Sequence, residues 1–459
     1  MGTAASLSAN IPATIALDRA FLAELRGDPD ATAAFASRAL AQLGEGELML
    51  ASFGRWHLAV AEWLHGHLPE AERAFASITS EWSVSEPTVA AWSSQHLGRI
   101  QIAQGRLRAA LATYHRALEL TAAPGRPTLP AAGIAHVGMA EVLYERGELD
   151  AALDHATQGV ALSRQLAYTP PVSLATGLAV LAWIRQTQGD RAGALDAMRE
   201  AERVELSPAV VGLFNPVPAL RVRLALAHGE VADAARWVKA RGLAEEDAPS
   251  YPRECEYLVL ARVLLAEQAP ERALALLERC HALAAAQGRT GDVIELLALQ
   301  ALAYAAYGAE QRALAALDEA LTLGAPEGYL SVFVDEGPPM AALLRKLLSG
   351  RRREQVAGAS APRDYLTGLV TAFEQLDLAV LPPARRGAVV VTGLIEPLTA
   401  REVEVLELLA AGKPNRAIAE DLVVTLETVK KHVSHIFDKL GAANRTQAVT
   451  RARGLGLLP

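Results

Sequence analysis

The chain has 459 residues, with 44 Lys+Arg against 52 Asp+Glu, and 51% of it is apolar while only 5% is aromatic. That length allows two to four domains with a sizeable core, and an apolar fraction rich in Ala and Leu favours helices over strands. Charges are too frequent for a membrane-spanning protein: the longest charge-free stretch, Gln165–Ile184, contains Pro170 and Pro171 and makes a poor spanning helix. The first charged residue is Asp18, so no basic segment precedes an apolar run and no signal peptide is expected. Cys255 and Cys280 are the only cysteines, which fits a reducing cytoplasm and argues against a disulfide scaffold.

From the N-terminal side, a repeat runs through most of the chain. A Gly ends one apolar helical segment and an Ala follows five positions later, at Gly66/Ala71, Gly105/Ala110, Gly147/Ala152, Gly189/Ala194, Gly229/Ala234 and Gly308/Ala313. Gln268/Ala273 keeps the register without the Gly, and Gly27/Thr32 keeps it without the Ala. The steps are 39, 39, 42, 42, 40, 39 and 40 residues. Each unit reads as two helices with a turn at the Gly. In the unit from Met139, Ala140, Leu143 and Tyr144 line the first helix; Leu149, Ala152, Leu153, Ala156 and Val160 line the second, with Ser163 interrupting the stripe and Ala167 resuming it. Gly closes the first helix in a left-handed conformation, and a small Ala lets the two helices approach. One such hairpin cannot bury its apolar face alone, so the units must stack into a superhelix whose concave face would hold an effector or a partner. After the last unit, Leu330, Val332 and Val334 alternate briefly before a turn at Gly337, Pro338 and Pro339. A helical segment at Tyr365–Leu376 is expected to cap the array.

Residues 379–397 hold three prolines, two glycines and no amphipathic pattern, and read as a linker with a short extended piece at Val389–Val391. Residues 398–459 then carry nine Lys+Arg against seven Asp+Glu, a small positive excess on an otherwise acidic chain. Four helix starts follow closely. Thr399 and Glu402 form a capping box, Asn415 and Thr425 cap the next two helices, and Asn444 with Gln447 resembles a further box. The helices are expected at about 400–410, 416–422, 426–440 and 445–453. A short helix, a tight turn over Val423–Thr425 and a longer helix make a helix-turn-helix. The domains are thus 1–345 (repeat array), 346–378 (capping helices), 379–397 (linker) and 398–459 (terminal helical domain).

At about 100° per residue, Val429, Val433, Ile436 and Leu440 share one side of the third helix and must face the other helices. Glu427, Lys431, Ser434, His435 and Asp438 fall opposite, with Thr428 and Lys430 on the flanks. Lys, Ser and His can bond base edges in a major groove. Asn415, Arg416, Thr425 and Thr428, at helix starts, suit phosphate oxygens. The candidate DNA contacts are therefore Lys430, Lys431, Ser434, His435, Thr428, Thr425, Asn415 and Arg416.

The stretches "LTAREVEVL", "GKPNRAIA", "TVKKHVSHIFDKLG" and "NRTQAV" resemble the LuxR-type helix-turn-helix domain of bacterial transcription regulators over about sixty residues. The repeats, with "GYLSVFVDEGPPM" before the linker, resemble the sensor region of the large maltose-regulator-like members. The resemblance implies an all-α fold, a tetratricopeptide-like superhelical solenoid followed by a four-helix LuxR-type domain. It implies binding of double-stranded DNA by Thr428–Leu440, and dimer contacts through Ala448, Val449 and Ala452, giving a homodimer on DNA. An effector or protein partner would act at the array. The large members also carry a nucleotide-binding switch domain, and here the chain departs: it contains no G-x-x-x-x-G-K-[ST] loop, Gly412-Lys413 being followed by Pro414, so ATP-driven switching within it is not expected.

No catalytic residue, metal or cofactor is expected. His432 and His435 are spaced as a metal pair, but no third ligand stands near; His432, beside the apolar stripe, reads as structural. Cys280 next to His281 reads as a core thiol. The competing function is a repeat scaffold or adaptor whose terminal domain contacts protein.

Overall fold

The computed structural model describes residues 10–44, 46–83, 86–122, 128–166, 172–204, 207, 210–351, 361–380, 400–410, 412–421, 426–440, 442 and 444–454. Among these, every regular element is helical. The chain divides into two compact units, residues 1–373 and 374–459.

The first unit is built of paired helices: α1 (Ile11–Leu25) and α2 (Pro29–Leu40), α3 (Leu48–His65) and α4 (Leu68–Trp82), α5 (Pro87–Ala103) and α6 (Leu107–Thr121), α7 (Ala132–Glu145) and α8 (Leu149–Ser163), α9 (Val172–Thr187) and α10 (Arg191–Val204), α11 (Val217–Ala227) and α12 (Val231–Ala240), α13 (Glu254–Ala266) and α14 (Pro270–Ala286), α15 (Thr290–Tyr307) and α16 (Glu310–Gly324). The turn at Gly66 shows how a pair is joined. Gly66 has φ +83°, and the His67 amide donates back to Glu62 O at 2.9 Å, satisfying a carbonyl that the helix end would orphan. The same backward bond recurs at all eight turns, as at Arg106 to Gln101 O and Glu148 to Leu143 O. Gln268 takes the left-handed role too: its φ is +59°, and it is the one non-Gly residue at positive φ among the described residues. Five positions on, Thr32, Ala71, Ala110, Ala152, Ala194, Ala234, Ala273 and Ala313 are all fully buried where the paired helices touch.

The two helices of a pair do different work. The second is amphipathic: α10 buries Ala194, Ala197, Met198 and Ala201, a single stripe. The first is buried nearly all round; in α9 every residue from Ala175 to Ile184 is buried. First helices therefore form an inner layer and second helices an outer one. At α7/α8 the contact is tight because glycines face it: a Cβ on Gly133 would lie 2.8 Å from Ser163 N, and one on Gly159 would lie 2.8 Å from Val137 Cγ2. Helix α8 ends at Ser163, so the apolar stripe stops there; Ala167 lies outside the described residues.

The repeat pattern implied a concave inner face, and the structure adds bonds that cross it. The array closes on itself. The Trp63 indole donates to Tyr251 OH at 3.0 Å, and Gln287 Nε2 donates to His65 O at 2.9 Å. Tyr329 OH reaches Ile102 O at 3.3 Å, and the Leu330 amide donates to Glu145 O at 2.8 Å. The inner layer thus lines a space bridged by bonds between units far apart in sequence. The alternating Leu330–Val334 segment is a buried single-turn helix, α17 (Ser331–Val334), which docks on α7. Helix α18 (Pro338–Arg351) begins before the boundary expected at residue 346. Helix α19 (Arg363–Val380) covers the expected 365–376 segment, burying Leu366, Leu369 and Phe373 while Tyr365 OH bonds Tyr329 O. It runs into the expected linker, whose remaining residues, 381–397, lie outside the described set, as does Val389–Val391.

In the second unit, α20 (Ala400–Ala410), α21 (Asn415–Asp421), α22 (Leu426–Leu440) and α23 (Arg445–Gly454) share one core of Val405, Leu406, Leu409, Ile418, Val429, Ile436 and Leu440. Gly412, at φ +82°, closes α20, with the Lys413 amide bonding Leu408 O at 3.1 Å. The next helix starts one residue earlier than expected: Pro414 O accepts its first bond, from Ile418, so Asn415 is inside the helix rather than its cap. Asn444 does cap α23, its Oδ1 accepting from the Gln447 amide at 3.0 Å.

Candidate functional site

Helix α22 is sharply two-faced. Val429 and Ile436 are fully buried and Leu440 nearly so, while Lys430, Lys431, Ser434 and His435 are exposed. Lys431, Ser434 and His435 stand at i, i+3 and i+4, so they project from one patch of helix surface. Arg416 on α21 is exposed and Asn415 half-buried. Thr425 and the side chain of Thr428 lie outside the described residues. His432 is half-buried beside the apolar stripe.

Two features escaped the sequence reading. Glu402, read from the sequence only as a capping-box member with Thr399, which lies outside the described residues, is buried at 3% exposure, and its Oε2 receives the Lys439 ammonium at 2.9 Å. Lys439 is only 14% exposed, so this third lysine of α22 belongs to the domain's interior and not to its outward cationic face. Arg445 Nη2 donates to Leu409 O at 2.6 Å, satisfying the end of α20 from α23. The dimer contact expected at Ala448 and Ala452 needs correction: both are fully buried in the domain's own core, with Val449 partly buried against it. The exposed residues of α23 are Thr446, Gln447, Thr450, Arg451 and Arg453.

The inner layer of the first unit lines several cavities, two of which adjoin at Trp63 and Arg99. One, of about 350 Å³, is lined by polar and charged side chains of the inner layer. Tyr144 OH donates to Asp335 Oδ1 at 2.8 Å, and Arg223 stacks 4.9 Å above the Trp183 ring. Arg289, fully buried, binds Glu254 Oε2 at 2.6 Å and also Asp292. Glu145 accepts the Val332 amide at 3.0 Å. Burial first, then the nearby Asp335 and Glu295 carboxylates, push Glu145 up to about 8 against the opposing Val332 amide and Arg223. Burial likewise pushes Asp335 up to about 6, against the pull of Arg223. The second cavity, of about 550 Å³, is walled mainly by aromatic and aliphatic side chains of α1, α3 and α5. Trp63 and Arg99 line both.

Among the described residues no cluster of three or more His, Cys, Asp or Glu could hold a metal ion. No helix among them is long and apolar enough to cross a membrane.

The fold is that of a helical-repeat array followed by a helix-turn-helix domain. Comparison with known proteins gives the particular relationship. Residues 13–350 match the family model of the MalT-like TPR region, and residues 396–452 match that of the bacterial regulatory proteins of the luxR family. The chain is 28% identical over 380 residues to the HTH-type transcriptional regulator MalT of Yersinia pestis, and 27% identical over 380 residues to that of Serratia proteamaculans. Each match covers 80% of this chain and 41% of the relative, so the chain spans well under half the length of these proteins. A solved array of kinesin light chain TPR-like repeats from Podosopora anserina overlaps 42% of this chain and 95% of its own, at 16% identity and a TM-score of 0.31. The chain belongs to the family of the MalT-like TPR region and carries a LuxR-type DNA-binding domain.

Proposed function

We propose that the chain regulates transcription by binding double-stranded DNA through α22, in response to a small molecule taken up inside the repeat array. The observation that carries the DNA part is the exposure of Lys430, Lys431, Ser434 and His435 on a helix whose other face is core. Lys431, Ser434 and His435 read base edges in the major groove. Lys430, Thr428, Thr425, Asn415 and Arg416 hold the backbone. With so few cations per domain, tight binding calls for two domains on a two-half-site operator, paired through the exposed residues of α23. The roles are those of a regulator, and no catalytic step is assigned.

A small molecule is favoured over a protein partner because the inner-layer cavities, of about 350 and 550 Å³, lie within the range of small-ligand sites. The test is a gel shift on genomic fragments recovered by pull-down with the full chain. Specific, salt-sensitive shifts that Lys431→Ala weakens support the reading. A folded chain that shifts no fragment at low salt sinks it.

A further inference from the structure

The larger interior cavity is the least expected feature of so aromatic-poor a chain. Only six tryptophans and eight phenylalanines occur in 459 residues. Three of each, Trp56, Trp63, Trp92, Phe21, Phe53 and Phe214, line this one cavity of about 550 Å³. Elsewhere the inner layer packs mainly with Ala, Leu and Val, with Trp183 and Tyr257 among its few buried rings. A core closes such a volume because unfilled space forfeits contacts and stability. Large rings gathered around an open volume, in a fold that packs well without them, point to an occupant with apolar rings of its own.

The polar groups narrow its chemistry. Glu24 and His57 satisfy each other at 2.8 Å on the wall. His96 Nδ1 lies 3.0 Å from Trp92 O, and burial pushes the ring down to about 4, so it is neutral. Asp18 stands exposed at the rim, where water screens it. Arg99 differs. Its guanidinium sits half-buried over the Trp63 ring at 6.0 Å, and among the described residues no carboxylate or carbonyl bonds it. Glu141, across the neighbouring cavity, acts on it only at longer range. A guanidinium cannot shed its charge, so an anion that enters the cavity meets a cation with no competing carboxylate of the described residues bonded to it.

We propose that this cavity binds a small molecule composed of an apolar ring system and a carboxylate, its rings against Trp56, Trp92 and Phe53 and its carboxylate on Arg99. This deepens the reading of the array as the sensing region and rests on it. A guanidinium–carboxylate pair at the edge of an aromatic wall selects for charge as well as shape, since a neutral compound of the same rings leaves Arg99 without an acceptor.

The test is titration of the full chain's tryptophan fluorescence with 2-naphthoate and with its neutral twin, 2-naphthalenemethanol. The acid should quench saturably. Arg99→Met should weaken the acid by at least about tenfold while the alcohol binds both forms alike. If circular dichroism shows Arg99→Met unfolded, Arg99→Gln serves, with the same expectation. Absence of saturable quenching by either probe up to millimolar concentration overturns the site. Equal binding of acid and alcohol, unchanged by the Arg99 variants, overturns the carboxylate assignment. The titration contains no DNA. Saturable binding of 2-naphthoate by a chain that shifts no operator would therefore defeat the regulator reading and leave the cavity, and the converse holds equally.

Discussion

The three lysines of α22 should separate cleanly under mutation. Lys439 pairs with Glu402 at 2.9 Å, with 14% and 3% of the two side chains exposed. Removing one member of a buried ion pair costs about 3–5 kcal/mol, because the other charge is stranded. Two features lower that figure here. Water still reaches Lys439, and His435 Nδ1 lies 3.9 Å from the second Glu402 oxygen, where a protonated ring would offset part of the charge. Lys439→Met should therefore cost about 2–4 kcal/mol. A domain of about sixty residues holds only about 3–9 kcal/mol in total, so the variant should open residues 400–454 measurably. Hydrogen exchange by mass spectrometry on the full chain reads this directly: protection should fall across α20 and α22 and stay unchanged in the array. Adding Glu402→Gln should recover part of the loss, since it removes the stranded charge. Lys431→Ala, fully on the outside, should leave exchange unaltered and cost about 1–3 kcal/mol of operator binding. The reasoning fails if Lys439→Met abolishes DNA binding while exchange over 400–454 is unchanged, for then Lys439 contacts DNA and the ion pair is incidental.

Lys430→Ala should weaken specific and unrelated DNA alike and lower the slope of log affinity against log salt by about one unit, measured by fluorescence anisotropy. Tyr114 is fully buried between Gly98 and Gly138 with its hydroxyl unpartnered among the described residues; Tyr114→Phe should be neutral or stabilising by up to about 1 kcal/mol, whereas Gly138→Ala, whose Cβ would lie 2.3 Å from the ring, should cost about 1–3 kcal/mol, both read by urea unfolding. Glu145 is pushed up to about 8 by burial. From the ordinary glutamate range up to that value the folded chain holds a proton that the unfolded chain releases, so the group's contribution to stability falls as pH rises through this window. Glu145→Gln should flatten that decline and stabilise the array by about 1–3 kcal/mol at pH 9, with no change near pH 4; thermal melts across pH 4–9 check it.

What could be read from the sequence was local. The turn at Gly66 needs only its own helix end, so the Gly, the Ala five residues on and the step to the next unit sit within one window. That is why even Gln268 was found: the register held although the residue type changed. The terminal domain was legible for the same reason, its apolar stripe on α22 setting which side chains face out. The misreadings share a cause. Thr-x-x-Glu at 399–402 has the pattern of a capping box, but that pattern gives no sign of the bond Glu402 accepts from a lysine 37 residues away. Ala448 and Ala452 look available for a partner on a wheel, but small residues on a short helix are also what a four-helix core closes over.

Closure of the array is the extreme case. Trp63 meets Tyr251 across 188 residues, and His65 meets Gln287 across 222. No periodicity encodes these contacts, because they follow from the small rotation that each unit adds to the last, accumulated over the array. Their consequence for function is large. An open superhelix offers an extended surface, suited to a peptide or a protein. One bridged across its inner face offers smaller cavities, so the chemistry of the side chains that line them matters more. In this chain most of the carboxylates and arginines gather around the smaller cavity, and all the phenylalanines of the two linings around the larger. Trp63 and Arg99 stand at the junction, on the same inner layer whose ends make the closing bonds. A ligand that engages Arg99 therefore acts beside the Trp63–Tyr251 bond. A ligand can shift the shape of the array only if it binds the bonded and unbonded arrangements differently, and this is the place in the inner layer where its contacts and the closing bonds share a residue, Trp63.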